Sequence, residues 1–174
     1  MGNVKPSSAP VKLFVGMLSR DEFLFNELKG KLKDEFGPLD MESPVWKWEH
    51  TNYYRKEMGT GLKRQFFFFQ RLINPETISG IKLKTIEIEK QYINNDLSRK
   101  VNLDPGYLDS AKVVLVSTKD FSHRICLGKG IYGEVTLFYS KNNYQILPYT
   151  YPEFRTTEYF DIFKKARKLY AASI

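Results

Sequence analysis

Cysteine is almost missing from this sequence: Cys126 is the one example among 174 residues. No internal disulfide can form, which excludes stapled secreted scaffolds and suits a reducing cytoplasm. Flanked by Ile125 and Leu127, the thiol is expected to be a small buried hydrophobe. Histidine is scarce as well. With only His50 and His123 and no cysteine pair, neither a His-rich site nor a zinc site is expected, and no metal is assigned. No stretch of about 18 apolar residues occurs, so no membrane-spanning helix and no membrane partner are expected. The opening residues Gly2 to Pro10 are polar, with Pro and Ser, and lack a signal-peptide core. Residues 1–9 are expected to form a disordered tail before one domain spanning 10–174. The G-x-x-x-x-G-K-[S/T] phosphate loop is also missing, which excludes a P-loop GTPase.

What the chain has in quantity is aromatic residues, 15% of the total, with 13 Phe and 11 Tyr. Apolar residues make up 42%, well above disordered composition, and a chain of this length buries roughly 70% of its unfolded surface. The net charge of +7 favours anionic partners. Part of it, Lys164, Lys165, Arg167 and Lys168, falls in the last turns of a predicted helix. There it complements the helix dipole as a solvated face.

Val11 to Leu18 (VKLFVGML) reads as a buried first strand. Ser19-Arg20-Asp21-Glu22 matches a capping box. Leu24, Leu28, Leu32 and Phe36 follow at i, i+4 spacing, and Gly37-Pro38 stop the helix. Val45 to Trp48 alternates as a short strand, and Phe66 to Phe69 form a strand buried on both faces. Asn74-Pro75-Glu76 starts a second helix. Ala111 to Ser117 is a central strand. Arg124 to Leu127, Glu134 to Tyr139 and Tyr144 to Leu147 form a meander with its last turn at Lys141-Asn142-Asn143. A final helix begins near Thr156. This order predicts an α/β fold of α+β character: a single-domain mixed, largely antiparallel sheet with three main helices packed on it.

Leu127 to Val135 fits G-x-G-x-x-G-x-V, the glycine-rich hairpin that covers phosphates in protein kinases. Gly128 and Gly130 would let amides approach a phosphate, Lys129 adds a cation, and Tyr132 lies on the same hairpin. No other kinase word follows, and three glycines also mark tight turns, so both readings stand. Asp104-Pro105-Gly106-Tyr107 is a turn signal, which places Tyr107 near the polar groups that follow. Lys119, Asp120, His123 and Arg124 gather after the Ala111–Ser117 strand, where α/β folds place ligand groups. His123, Asp120 and Glu134 are the catalytic candidates. Asp120 beside His123 would raise the imidazole pKa, although Asp120 and Ser122 also suit a plain turn cap. The polar stretch from Glu49 to Gly61 has the length of a functional loop and contributes Tyr54 and Glu57, with Arg64 just beyond it. Arg64 would grip an anion bidentately or pair with Glu57. Arg155 stands at a helix N-terminus, which suits an anion, although a structural lead-in to the helix is the favoured reading.

Taken together, several words resemble one family. They are Pro10 to Gly16, Tyr53-Tyr54 with Glu57-Met58-Gly59, Leu62-Lys63-Arg64, Asn102 to Tyr107, Thr118-Lys119-Asp120 with His123-Arg124, Gly128 to Leu137, and Tyr151-Pro152 with Arg155-Thr156. The chain is similar to the bacterial domain-of-unknown-function family 4416, small proteins labelled GTP-binding. Asn52 stands where that pattern has aspartate, and Gly133 where it has alanine. The resemblance implies a nucleotide, GTP, as the ligand, and no cofactor beyond it. The leading expectation is a cytoplasmic protein binding a nucleotide or another anionic phosphate ligand. The alternatives are an RNA-associated binding protein using exposed tyrosines, or a protein-interaction module without catalysis.

Overall fold

The computed structural model describes residues 8–48 and 55–174. Strand β1 (Val11–Ser19) lies in the sheet interior, and every one of its residues is buried. Helix α1 (Phe23–Phe36) follows and buries Phe25, Leu28 and Leu32. The capping box expected from Ser19 is not made. Ser19 is the last residue of β1, and its Oγ donates to Lys100 O while accepting from the amide of Asp21. Asp21 takes over the helix entry by accepting from the Phe23 amide at 2.9 Å.

Next come β2 (Leu39–Glu42), β3 (Trp46–Lys47), a single helical turn α2 (Arg55–Met58) and β4 (Lys63–Ile73). Strand β4 lies between β1 and β2 and is antiparallel to both. Hence β1 and β2 run the same way, with β4 inserted between them. Phe66 to Phe69 are all within 1% of full burial. Phe67 and Phe69 face the core under α1 and α3 (Ile78–Glu89), while Phe66 and Phe68 face the other core. Helix α3 enters through the turn Pro75–Thr77, where Asn74 Oδ1 accepts the Glu76 amide as its sequence predicts.

The remaining strands are β5 (Val101–Leu108), β6 (Lys112–Ser117), β7 (Ile125–Gly128), β8 (Ile131–Ser140) and β9 (Asn143–Ile146). Helix α4 (Thr157–Ala171) closes the chain, capped by Thr156. Among the described residues the sheet runs β2-β4-β1-β5-β6-β8-β7, with β3 on β4 and β9 on β8, and every pairing is antiparallel. The fold is a single α+β domain. One face carries α1 and α3. The other carries α4, whose Tyr159 and Phe163 meet Phe66 edge-on, with centroids 5.1 and 5.4 Å away.

Asp104-Pro105-Gly106-Tyr107 does not turn. It is the second half of β5, paired along its length with β1. A proline within a sheet interior ordinarily wastes a ladder bond. Here that bond has no claimant, because β5 meets β6 only from Gly106–Leu115 to Leu108–Val113. Upstream of Gly106 the two strands part. The main-chain groups of Leu103 that β6 would have paired are taken by α3 instead. Lys82 Nζ donates to Leu103 O at 2.8 Å, and the Leu103 amide donates to a Glu89 carboxylate oxygen at 2.6 Å. Both side chains are buried, which meets the demand that interior backbone groups be paired. Gly106 sits where the strands begin to separate. A Cβ there would lie 2.4 Å from Val114 O and 2.5 Å from the Phe14 ring. Gly106→Ala is therefore expected to destabilise the fold by about 2 kcal/mol through overpacking, read as a lower urea midpoint at unchanged slope.

Candidate functional site

Where β5 and β6 separate, a cavity of about 380 Å³ opens on the α4 side of the sheet. Phe66 and Leu115 line it from the sheet, Trp48 from beyond β3, and Tyr149, Tyr151 and Phe154 from the segment before α4. Such apolar walls with a few convergent polar groups are the usual make-up of a small-molecule site.

Three carboxylates enter the cavity. Asp104 accepts from Arg64 Nη1 at 3.2 Å and from Asn102 Nδ2 at 2.7 Å, with Lys82 Nζ 3.8 Å from its other oxygen. Its side chain keeps 27% of its surface accessible, whereas Arg64 keeps 5%. Burial pushes the Asp104 carboxyl up, but Lys82, Arg64 and Asn102 together outweigh it and hold the group below the ordinary aspartate range. Glu134, on β8, is 4% exposed and accepts from Arg124 Nε at 2.8 Å. His123 Nε2 lies 3.0 Å from the same oxygen. The third carboxylate, Glu153, is 5% exposed.

The loop between β6 and β7 supplies the cations. Arg124 donates from Nη1 to Lys119 O at 2.9 Å and from Nη2 to the Tyr151 hydroxyl. Three acceptors thus fix a guanidinium that has five N–H groups. His123 stacks face to face on Tyr149 at 4.3 Å and 11°. Lys119, at the rim, is held below the ordinary lysine pKa, first by burial and then by the charge of Arg124.

Of the residues singled out in the sequence, the cavity brings together Arg64, Lys119, His123, Arg124 and Glu134. The partner of His123 is Glu134 rather than Asp120, which is exposed on the loop and does not line the cavity. Arg64 pairs with Asp104, not Glu57, because β4 points it inward beneath the sheet. Glu57 is held bidentately by Arg99, at 2.6 and 2.9 Å, in a separate cleft. Tyr107 packs on the opposite face, against the α1 and α3 core. Tyr132 is half-buried on β8 and outside the cavity lining. Arg155 donates to Thr150 O and Pro148 O, at 2.8 and 3.1 Å, bracing the loop that carries Tyr149. Gly128, Lys129 and Gly130, with φ of 89°, 56° and 71°, form the exposed tip of the β7–β8 hairpin. Positive φ at both central residues is the signature of a type I′ turn. Cys126 is exposed on that hairpin, not buried, because β7 is an edge strand. Tyr54 lies outside the described residues.

Asp104, part of a turn word in the sequence, also lines the cavity, as do Glu153, Trp48, Phe121 and Tyr149, none of them among the candidates from sequence. A dense aromatic word before α4, Tyr149 to Phe154, was the available signal. Among the described residues, no group of three or more His, Cys, Asp or Glu is arranged to hold a metal, and no helix is long and apolar enough to cross a membrane.

A family model described as Domain of unknown function (DUF4416) matches residues 9–170. The chain belongs to that family. No curated protein and no solved structure matches it. In this DUF4416 protein the Asp104 cluster makes stability depend on pH. A depressed carboxylate pKa contributes stability that is fully present above the unfolded value, about 3.9, and is lost as pH falls through the lower folded value. Asp104→Asn should cost about 3 kcal/mol at neutral pH, because it leaves two buried cations poorly compensated. The gap from the wild-type protein should close as pH drops below the ordinary aspartate range, measured by urea unfolding across an acid series.

Proposed function

We propose that the protein binds a small anionic molecule with a planar ring, of the nucleotide class, in the cavity between β5 and β6. The observation that carries this reading is convergence. Arg64, Lys119, His123, Arg124 and Glu134 come from β4, the β6–β7 loop and β8, yet line one aromatic-walled cavity of about 380 Å³. Separate elements that point charged side chains into an apolar hollow incur desolvation, and ligand binding is the usual return.

The chemistry divides along the cavity. Aromatic walls offer faces on which a heterocycle can stack. Lys119 and Arg124, both in the lining, are the cations available to an anionic tail. Burial and the neighbouring guanidinium already disfavour the charged form of Lys119, and the negative charge of a phosphate would offset both. Arg124, fixed by Glu134, Lys119 O and Tyr151, retains N–H donors for that phosphate without having to reorganise. The His123 ring, with Nε2 3.0 Å from a Glu134 oxygen, has Nδ1 left to meet a polar group of the ligand. The glycine hairpin is not part of this reading. Its tip is a tight turn outside the cavity lining.

Titration calorimetry with a panel of nucleoside monophosphates and triphosphates is expected to give a micromolar dissociation constant for at least one. Lys119→Ala should weaken that binding about tenfold, or ~1.4 kcal/mol. Lys129→Ala should leave it unchanged. Silence from every nucleotide, or equal sensitivity to both lysines, would rule this site out.

A further inference from the structure

We infer that Glu153 is the specificity-determining acceptor of the cavity: its Oε2 receives an N–H from the ligand, so the site selects planar heterocycles bearing an exocyclic amine over those without one. The inference rests on the nucleotide-class reading above and narrows it.

Glu153 belongs to the turn Pro152–Arg155, whose backbone is tied down on both sides of it. The Phe154 amide donates to Tyr151 O at 3.0 Å, and Thr156 Oγ1 donates to Glu153 O at 3.0 Å. The side chain is 5% exposed and lines the cavity. Among the described residues, its Oε2 has no hydrogen-bond partner. The two other carboxylates of the cavity differ. Asp104 is served by Arg64 and Asn102, and Glu134 by Arg124 and Thr136. Buried acceptors in folded proteins are nearly always paired, so one left over in a hollow marks where a ligand donor goes.

The donor's charge follows from the neighbours. Burial pushes the Tyr159 phenol up to about 12, with Arg64 opposing and Glu153 and Asp104 adding to the shift. A cationic amine delivered to Glu153 would share the cavity with Arg64, Lys119 and Arg124, and like charges in a poorly hydrated site repel. A neutral N–H on an aromatic ring satisfies Oε2 without adding charge. The surrounding rings of Phe66 and Phe154 suit such a partner.

Two matched pairs of probes differ only by the amine: guanosine against inosine 5′-monophosphate, and adenosine against purine riboside 5′-monophosphate. The wild-type protein should bind the amine-bearing member of at least one pair about tenfold more tightly. Glu153→Met should bring that ratio within about threefold, while Lys119→Ala weakens both members alike and preserves the ratio. In the ligand-free protein, Glu153→Met should unfold at the wild-type temperature or above, since it removes an unpaired buried carboxylate. Glu153→Gln serves if the methionine variant does not fold, and it too should not fall below the wild type. A ratio that survives substitution, or a loss of several degrees in the folded variants, overturns the inference by giving Glu153 a structural partner. Binding without any amine preference sinks this inference alone. No binding of any of the four probes sinks this inference, and silence from the whole nucleotide panel sinks the nucleotide reading with it.

Discussion

The separation of β5 from β6 is the constraint on which the rest of the structure depends. A strand in mid-sheet cannot leave its neighbour unless its backbone groups find other partners. Lys82 and Glu89, reaching from α3 to the two main-chain groups of Leu103, supply those partners. Remove that substitution and the strands would either close, filling the cavity, or leave orphaned polar groups in the interior. Pro105 reinforces the choice, since it has no N–H with which to extend the ladder. The cavity is therefore built by main-chain chemistry, and the side chains that line it are furnishings of a space already made.

A hydrogen-bonded chain of side chains links this space to the second cleft. Arg99 holds Glu57 and donates to Asn102, Asn102 donates to Asp104, and Asp104 accepts from Arg64. The cleft around Glu57 and the cavity around Arg64 thus share one polar network through the N-terminal half of β5. Low local dielectric strengthens such a network when every member is satisfied. Arg99 illustrates this, with Glu57, Glu89 and Asn102 all accepting from it.

Much of the fold was legible in the sequence because local signals and burial agreed. The α1 stripe, the Asn74 and Thr156 caps, the meander and the Phe66–Phe69 strand all carried their own periodicity or turn chemistry. Strand β5 did not. Asp-Pro-Gly is a turn word by propensity, and only the tertiary gap beside Pro105 makes it tolerable in a strand. The capping box failed for a related reason, since Ser19 was claimed by Lys100 across 81 positions of sequence. For the site, charged residues close in sequence to a strand end were found, while Asp104 and Glu153 were hidden inside words that also have purely structural meanings. Glu57 and Arg64 lie near each other in the chain but choose partners 42 and 40 residues away. Pairing of that kind is set by topology, not by spacing.

The four consecutive phenylalanines of β4 carry one more implication. Apolar pattern normally locks strand register, because a one-residue slip turns the greasy face to water. With Phe at 66, 67, 68 and 69, such a slip would present phenylalanine to both cores just as before. Alignment must come from elsewhere: Ser43 Oγ accepting from the Phe66 amide at 2.9 Å, Lys12 Nζ donating to Phe69 O at 2.9 Å, and Arg64 meeting Asp104. These few polar contacts act as index marks on an otherwise uniform ruler. They select one threading among several that oil alone would score as equals.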